Sequence, residues 1–586
     1  MRRRAGILRA VRRGALAAVS VVVASSLLAQ TAVTTEASWR DDEWDSAPVA
    51  AVDCADADGA FATRGEGHAL SGGLLGIDLD AVAEASGVEV TNDGSRSRVT
   101  PGTASPVGDH AYANPLDVTA LSALNLPLTD LLALPTDTET GVLAQYGRAD
   151  DDGTAAGASG YVSDSGAIRL DPGNAYPELG RLDLFTLLSS VNADAAQLVD
   201  GITGLSLDIG AVAGRAELDG CRSAWTGDLA ASLAREYLAS DVALELSSPA
   251  VETLSSTLIG VAGGLDTLVS GLAGDQGLLN GLTSGISGLL SGLLGTLRLG
   301  TISIDSLALS VPLGDVLTLA TTEISDDGGV VSIDLEAGTI RVSTAALLGA
   351  AYGGSGETLN GLDPNTDLLG SEEVLRALTD ALGDALDAWL DDVVDALDEA
   401  LRTIEVDLTA TVAIRALGIL PVAEIDIAID GVGLDALAAG QGVTASARIL
   451  GIIDAGILNR LVSALVSGLG PVVANLVTGL LPAVGDLVSG LTTAVSALLG
   501  TVSGVYDRLF LSGVVALTVN AQSDPLTGSP EPADWAGLDP GRYDVAGLRV
   551  GVLDAAGAAN VRLYLGRGSV GPFCSLARAA TDCPGY

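Results

Sequence analysis

Apolar positions along this chain repeat with two different periods, and the change between them divides it. From about residue 60 to 250, short apolar runs are broken by Gly, Asp, Asn and Pro. "ASGYVSDSGAIRL" (158–170) and "DVALELSS" (241–248) alternate or enrich apolar residues as strands do. "TNDGSRSRVTPGTASPVGDHAYANP" (91–115) carries turn formers throughout and reads as an irregular loop. This region is expected to be mostly β.

From 251 the spacing becomes helical. Leu254, Leu258, Val261, Leu265, Leu268, Leu272, Leu279, Leu282, Ile286, Leu289 and Leu293 step by four and three, a heptad stripe interrupted only by Asp275. A second stripe runs Val477, Leu481, Val484, Val488, Leu491, Val495, Leu498, Val502, Val505, with Pro471 and Pro482 placed to start or kink its helices. Between them, 371–404 predicts an amphipathic helix. Ser371 caps it, and Glu372 and Glu373 sit at its positive end. Leu378, Leu382, Leu386, Leu390, Val393, Leu397 and Leu401 form one face, and six Asp crowd the others.

Strand pairs follow each helical block. "VVSIDLEAGTIRVS" is a hairpin around Gly338, and "EIDIAIDG" puts Ile425, Ile427 and Ile429 on one face. "GVVALTVNA" and "LRVGVLDAAGAANVRLYLG" supply strands near the end. The expected fold class is α+β: a mostly-β N-terminal region (38–250), then alternating Leu/Val-heptad helices and β-hairpins (251–586), read as a degenerate repeat.

The uncharged stretch "GLTSGISGLLSGLLGTL" (281–297) tests that reading. Nine Leu or Ile in 276–297 favour lipid by about 3–5 kcal/mol together, against six Gly and several polar residues. Eleven Gly in 254–297 cost a helix about 1 kcal/mol each, while eleven stripe residues return roughly 1.5–3 kcal/mol each when buried. Burial wins only with a partner surface. The 477–505 stripe is the expected mate, with 371–404 covering the pair in a soluble bundle and Trp389 buried there.

Charge and leader refine the picture. All 29 basic residues are Arg, against 74 acidic ones, for a net charge of -45. Residues 1–37 hold six of those Arg: a basic n-region, then the apolar "ALAAVSVVVASSLLA" and small residues before Ala37, the pattern of a secretory signal peptide. The "RR" pair meets the twin-arginine pattern poorly, which favours the general secretory route. Without 1–37, 23 basic and 73 acidic residues remain, a surface that repels nucleic acid and anionic membranes. The chain is therefore expected to be secreted, extracellular or at the cell surface, with no nucleic-acid partner and no stable transmembrane segment after cleavage.

Cys54, Cys221, Cys574 and Cys583 form an even set in an exported chain, so two disulfides are expected from three connectivities. Proximity favours Cys574 with Cys583, which leaves Cys54 with Cys221. A metal centre is not expected, with no CxxC and only His68 and His110. No cofactor is expected. "DPNTD" (Asp363, Asn365, Asp367), "DADG" (Asp56, Asp58, Gly59) and "DDDG" (150–153) resemble fragments of calcium loops, but lack the twelve-residue pattern; they read as acidic turns that allow at most weak Ca²⁺ binding.

No catalytic residue is expected. GxSxG and HExxH are missing, and a phosphate loop needs a Lys that this chain does not have. His68 and His110 lie in polar, Gly-rich text and are expected to be exposed. A carboxylate pair of glycosidase type is hard to locate among so many acids, and the five Trp are scattered.

The blocks "LSGGLLGIDLDAVAEASGV" (70–88), "NPLDVTALSALNLPL" (114–128), "GASGYVSDSGAI" (157–168) and "ASDVALELSSPAV" (239–251) resemble the actinobacterial choice-of-anchor G family of exported surface proteins. The resemblance implies display on the envelope, with no enzymatic activity carried over. The C-terminal "SVGPFCSLARAATDCPGY" departs from an LPxTG-type sorting signal, so release or noncovalent retention is expected. The expected function is a non-enzymatic cell-surface or secreted protein with a structural, adhesive or interaction role toward an envelope or extracellular ligand. The alternatives are a secreted membrane-active protein using its Gly-rich helices, and a secreted hydrolase.

Overall fold

A computed structural model describes residues 54, 60–82, 87–116, 132–133, 143–169, 176–191, 198–272, 300–353, 356–416, 420–433, 436, 441–449, 482, 484–486, 488–535, 541–553 and 561–576. Four antiparallel sheets and a set of helices make up these residues, an α+β fold whose N-terminal region is mostly β.

The sheet that matters most takes its strands from both ends of the chain. Its order is Thr366–Asp367, Val515–Gln522, Tyr543–Val552, Val561–Val570, Phe61–Leu74, Val88–Asn92 and Ser97–Thr100. Phe61–Leu74 thus pairs with Val561–Val570, with Glu66 opposite Ser569 and His68 opposite Arg567. Three strands within 91–115 correct the loop expected there: Ser97–Thr100 joins this sheet, and Ser105–Gly108 and Ala111–Ala113 pair in the next. "ASGYVSDSGAIRL" is only partly strand; Thr154–Gly160 ends at Gly160, and the rest is a turn closed by a Val162–Ile168 bridge.

The second sheet packs face to face on the first through small residues. It contains Leu233–Ala239, Val212–Asp219, Thr154–Gly160 and Ala144–Ala149. A Cβ on Gly157 would lie 2.1 Å from Glu66 O and 2.3 Å from Ser569 O, and one on Gly568 would lie 2.4 Å from Gly157 O. Around Gly157 and Gly568 the backbones of the two sheets therefore approach so closely that a Cβ does not fit, while Val545, Val570 and Leu218 fill the interface beyond. This is why "TAAGASG", "GEGH" and "GRGS" carry so few bulky side chains.

The other two sheets and the helices surround a large apolar core. One sheet runs from Ile324–Ser325 through the hairpin Val331–Asp334/Thr339–Ser343 and Val242–Ser247 to Gly204–Ile209 and Gly180–Asp183. Gly338 has φ +70° in the hairpin turn, as its place in "VVSIDLEAGTIRVS" predicts. The fourth sheet contains Leu420–Gly433, whose Ile425, Ile427 and Ile429 are buried.

The acidic helix spans Glu372–Arg402. Ser371 Oγ accepts from Val374 N at 3.2 Å, and Glu372 and Glu373 occupy the first turn. Leu378, Leu382, Leu386, Val393, Leu397 and Leu401 are buried, Leu390 packs half-buried beside them, and Trp389 is buried as expected at 4% exposure. Trp389 Nε1 donates to Leu319 O at 3.2 Å, satisfying the indole where it is buried. This helix packs on Thr344–Tyr352 and Gly314–Leu319. The helix Pro249–Leu272 packs on Gly314–Leu319 and the strand Gly300–Ser310. Its buried line is Leu254, Leu258, Val261, Leu265, Val269; Leu268, expected in the stripe, is 41% exposed. A straight helix of 3.6 residues per turn drifts away from a 3.5-residue repeat, and Val269 takes the inner position.

Leu491, Val495, Leu498, Val502 and Val505 of the helix Val484–Leu511 join the same core. Among the described residues, this helix is the one long and apolar enough to cross a membrane. Residues 273–299, which include the 281–297 stretch, and Val477 and Leu481 lie outside the described residues.

Candidate functional site

Three neighbouring strands of the first sheet, Phe61–Leu74, Val561–Val570 and Tyr543–Val552, build a charged cleft. Alternation along Phe61–Leu74 turns Gly65 and Gly67 toward the second sheet and Arg64, Glu66 and His68 to the opposite face. Register sets Glu66, Ser569 and Asp544 in one row, and His68, Arg567 and Ala546 in the next. A strand with glycine on one face and charge on the other is thus the local device. It buries charges without any bulky partner behind them.

The next row is irregular, and that is what shapes the cleft. Ala69, Gly566 and Gly547 lie between paired rows, Gly566 has φ +62°, and Ala69 N is diverted to Gln145 Oε1 at 2.9 Å. Regular alternation from Arg567 would put Leu565 and Leu563 in the cleft. Instead they enter the apolar core, and Tyr564 and Arg562 line the cleft. The switch at Gly566 re-aims the side chains, as a bulge does. One pair of strands serves the charged site at one end and the core at the other.

The resulting cavity has a volume of about 750 Å³, within the range of small-ligand sites. At its base, Glu66 is held by two guanidinium groups and an imidazole. Arg64 Nη2 reaches Oε2 at 2.7 Å, Arg542 Nη2 reaches Oε2 at 3.0 Å, and His68 Nε2 lies 2.5 Å from Oε1. Burial would raise the Glu66 carboxyl; the hydrogen bond to His68 and the charges of Arg542, His68 and Arg64 outweigh it and hold the group well below the usual carboxylate range. Asp544, fully buried, accepts from Arg567 Nε at 2.8 Å and Nη2 at 2.7 Å, with Arg542 Nε at 3.3 Å. Its carboxyl is likewise lowered, burial being overcome by Arg567 and Arg542. Arg567 is raised in turn: Asp544, Glu66 and Asp80 together outweigh its desolvation.

The rim is more open. Asp80 Oδ1 lies 3.5 Å from His68 Nδ1, and Glu89 Oε1 lies 3.0 Å from Arg64 Nε. Asp78 caps the turn by accepting from Asp80 N. On the other wall Trp535 stacks on Tyr564, ring centroids 4.5 Å apart, and Asp534 accepts from Tyr564 Oη and from Arg549 Nη2 at 2.8 Å. Arg562 also lines the cavity; its Nε is buried without a hydrogen-bond partner.

None of these residues stands out as a site in the sequence. His68 was expected in the open; it is 7% exposed, because the text around it is a central strand rather than a loop. His110 is exposed, and its Nδ1 meets Ser97 Oγ. The signal available was a period of two, Gly65-Glu66-Gly67-His68 against Gly566-Arg567-Gly568-Ser569, small residues alternating with charge or hydroxyl.

Cys54 and Cys221 form a disulfide across a separation of 167 residues. Cys574 is disulfide-bonded, and Cys583 lies outside the described residues. "DPNTD" is a structural turn. Asn365, at φ +59°, donates through Nδ2 to Gln522 O and Ser529 O and accepts from Gln522 N. Asp367 Oδ1 accepts from Leu369 N and Gly370 N. In "DDDG", Asp150 pairs with Arg148 and Asp152 accepts from Thr154 N; Asp56 and Asp58 lie outside the described residues. Among the described residues no group of three or more His, Cys, Asp or Glu is placed to hold a metal ion.

Residues 65–571 match a family described as a domain of unknown function (DUF8394). No curated protein and no solved structure matches the chain.

Proposed function

The chain belongs to the DUF8394 family, and from that premise we propose that it is an exported envelope protein that works by binding, with the charged cleft as its recognition site. The observation that carries this reading is the cleft itself. Arg64, Glu66, His68, Arg542 and Arg567 are gathered from strands some 500 residues apart in sequence and held on a sheet face at an open cavity. Buried charges are costly to fold, and a scaffold that only filled space would be as stable with apolar residues there. Export is supported by the n- and h-regions of 1–37 and by the Cys54–Cys221 disulfide, a bond that persists in oxidising compartments. The resemblance to the choice-of-anchor G family supports display on the envelope. In this reading the helix–strand alternation of 251–586 is a degenerate repeat that serves as scaffold.

The test has two parts. Fractionation of native cells places the protein in wall, membrane or medium. The purified mature chain is then bound to isolated envelopes beside a variant with the cleft charges reversed, Arg562→Glu with Asp80→Arg, after circular dichroism has shown both folded. Envelope binding that drops at least tenfold in the variant supports the reading. Equal binding by both, or a cytoplasmic location, overturns it.

A second reading, a secreted hydrolase, is favoured by one observation: His68 presents Nδ1 toward Asp80 while Glu66 fixes Nε2, an oriented imidazole beside a carboxylate. Release of product from a bound ligand, lost in His68→Gln, separates it from simple binding.

A further inference from the structure

We infer that the cleft takes an acidic saccharide, a uronate-bearing sugar whose carboxylate is received by Arg562. The inference rests on the cleft being a binding site and adds the class of its ligand. Each of the other charged groups lining the cavity has a partner within the protein. Glu66, Arg64, Arg542, Arg567, His68 and Glu89 are joined in the network described above, Asp534 by Arg549 and Tyr564, and Asp80 by His68 and Arg567. Arg562 has none among the described residues, and its Nε is shielded from water as well. Buried polar atoms in folded proteins are almost always hydrogen-bonded, so a guanidinium that lines a cavity with no protein partner among the described residues and a buried, unbonded Nε points to an acceptor that arrives from outside at its open end. A guanidinium presents its donors as a fork that matches a carboxylate.

The remaining lining limits what else the ligand carries. Asp78 and Asp80 come from one short turn at the opposite rim and offer acceptor oxygens. They would repel a phosphate, with its greater negative charge, and they call for donors such as hydroxyl groups. A cation is disfavoured by the four Arg of the cavity. One negative charge together with several hydroxyls meets both demands. Gly73, where even a Cβ would meet nothing closer than 3.9 Å, leaves part of the floor without a side chain, which gives a ring room to approach the backbone.

The experiment titrates the mature full-length chain by isothermal calorimetry with galacturonate and glucuronate trisaccharides. The neutral galactose and glucose trisaccharides, a free dicarboxylate and a short peptide with a free C-terminal carboxylate are the comparisons. Expected are binding of an acidic trisaccharide at least tenfold tighter than its neutral counterpart, a loss of at least tenfold in Arg562→Gln, partial recovery in Arg562→Lys, and weakening with added salt. Thermal melts matching the parent show that each variant is folded. Equal affinity for neutral sugars, an unaffected Arg562→Gln, or no binding by any acidic sugar overturns the inference. Preference for the dicarboxylate or the peptide also overturns it. In those cases envelope binding that still depends on the cleft charges leaves the binding reading standing, and envelope binding that ignores them removes both.

Discussion

Truncating Asp544 to Ala probes the base of the cleft directly. Asp544 is completely buried and receives Arg567 through two donors and Arg542 through one, with Ser523 Oγ at 3.3 Å. Its removal leaves Arg64, Arg542 and Arg567 facing a single buried carboxylate, Glu66. Removing one partner of a buried pair costs about 3–5 kcal/mol, chiefly because the other charge stays desolvated. An unfolding entropy of about 2 cal/mol/K per residue gives roughly 1 kcal/mol/K for a cooperative unit of about 500 residues, so the melting temperature should fall about 3–5 °C. The rescue is Asp544→Leu with Arg567→Met, which removes both charges and fills the space. Replacing a buried pair by apolar groups is near neutral or stabilising, so this double variant should melt within about 2 °C of the parent. Differential scanning calorimetry reads both. A loss under about 1 °C in Asp544→Ala, or a double variant that melts lower than the single one, refutes the reasoning that an unpaired Arg567 is the source of the cost.

Three other outcomes follow from the same geometry. The folded-state carboxyls of Glu66 and Asp544 lie below their ordinary values of 4.5 and 3.8. The stability they give is complete above those ordinary values and is lost as pH falls through the lowered ones, so melting temperature should drop as pH falls below about 4.5, and less steeply in Glu66→Gln; identical slopes would count against it. The Cys54–Cys221 bond closes a separation of 167 residues, for which loop entropy sets an upper estimate of about 5 kcal/mol, so Cys54→Ser with Cys221→Ser should melt up to about 5 °C lower, and no shift would contradict the estimate. Gly157→Ala forces a methyl against two carbonyls and should cost at least about 1–3 kcal/mol, whereas Gly260→Ala, on an open face of the helix Pro249–Leu272, should stabilise by about 0.5–1 kcal/mol; shifts of the same sign in urea melts would refute the contrast.

What the sequence makes legible is local. The helix Glu372–Arg402 can be read almost to the residue, because its cap, its first-turn acids and its stripe lie within one segment and need no partner to be recognised. The hairpin at Gly338 and the Ile face of Leu420–Gly433 are equally local. An error of detail arises where a rigid repeat is carried too far: Leu268 for Val269. The cleft is illegible for a different reason. Its residues meet only when Phe61–Leu74 pairs with Val561–Val570, and nothing within either segment names the other. Glu66 and His68 also lie among glycines, which resemble loop text until the second sheet is seen to demand them.

That demand links packing to function. Where the two sheets meet through Gly157 and Gly568, the interface has no room for a side chain, and the larger Val545, Val570 and Leu218 pack to one side. The outward face of Phe61–Leu74 is therefore free to carry charge near Glu66, while beyond the irregular row at Gly566 the same strands turn Leu70, Leu563 and Leu565 into the large apolar core. The rigid backbone contact fixes where Glu66 and Arg567 stand, and their ion pairs fix how they point. A guanidinium and carboxylates held in place before any ligand arrives need little reordering on binding, which lowers the entropic cost of recognition. Loosening the sheet contact should thus weaken ligand binding even though no cleft residue changes. Gly157→Ala is the variant in which to look for that coupling: affinity for an acidic trisaccharide should fall together with stability, while Gly260→Ala, remote from the cleft strands, should leave affinity unchanged.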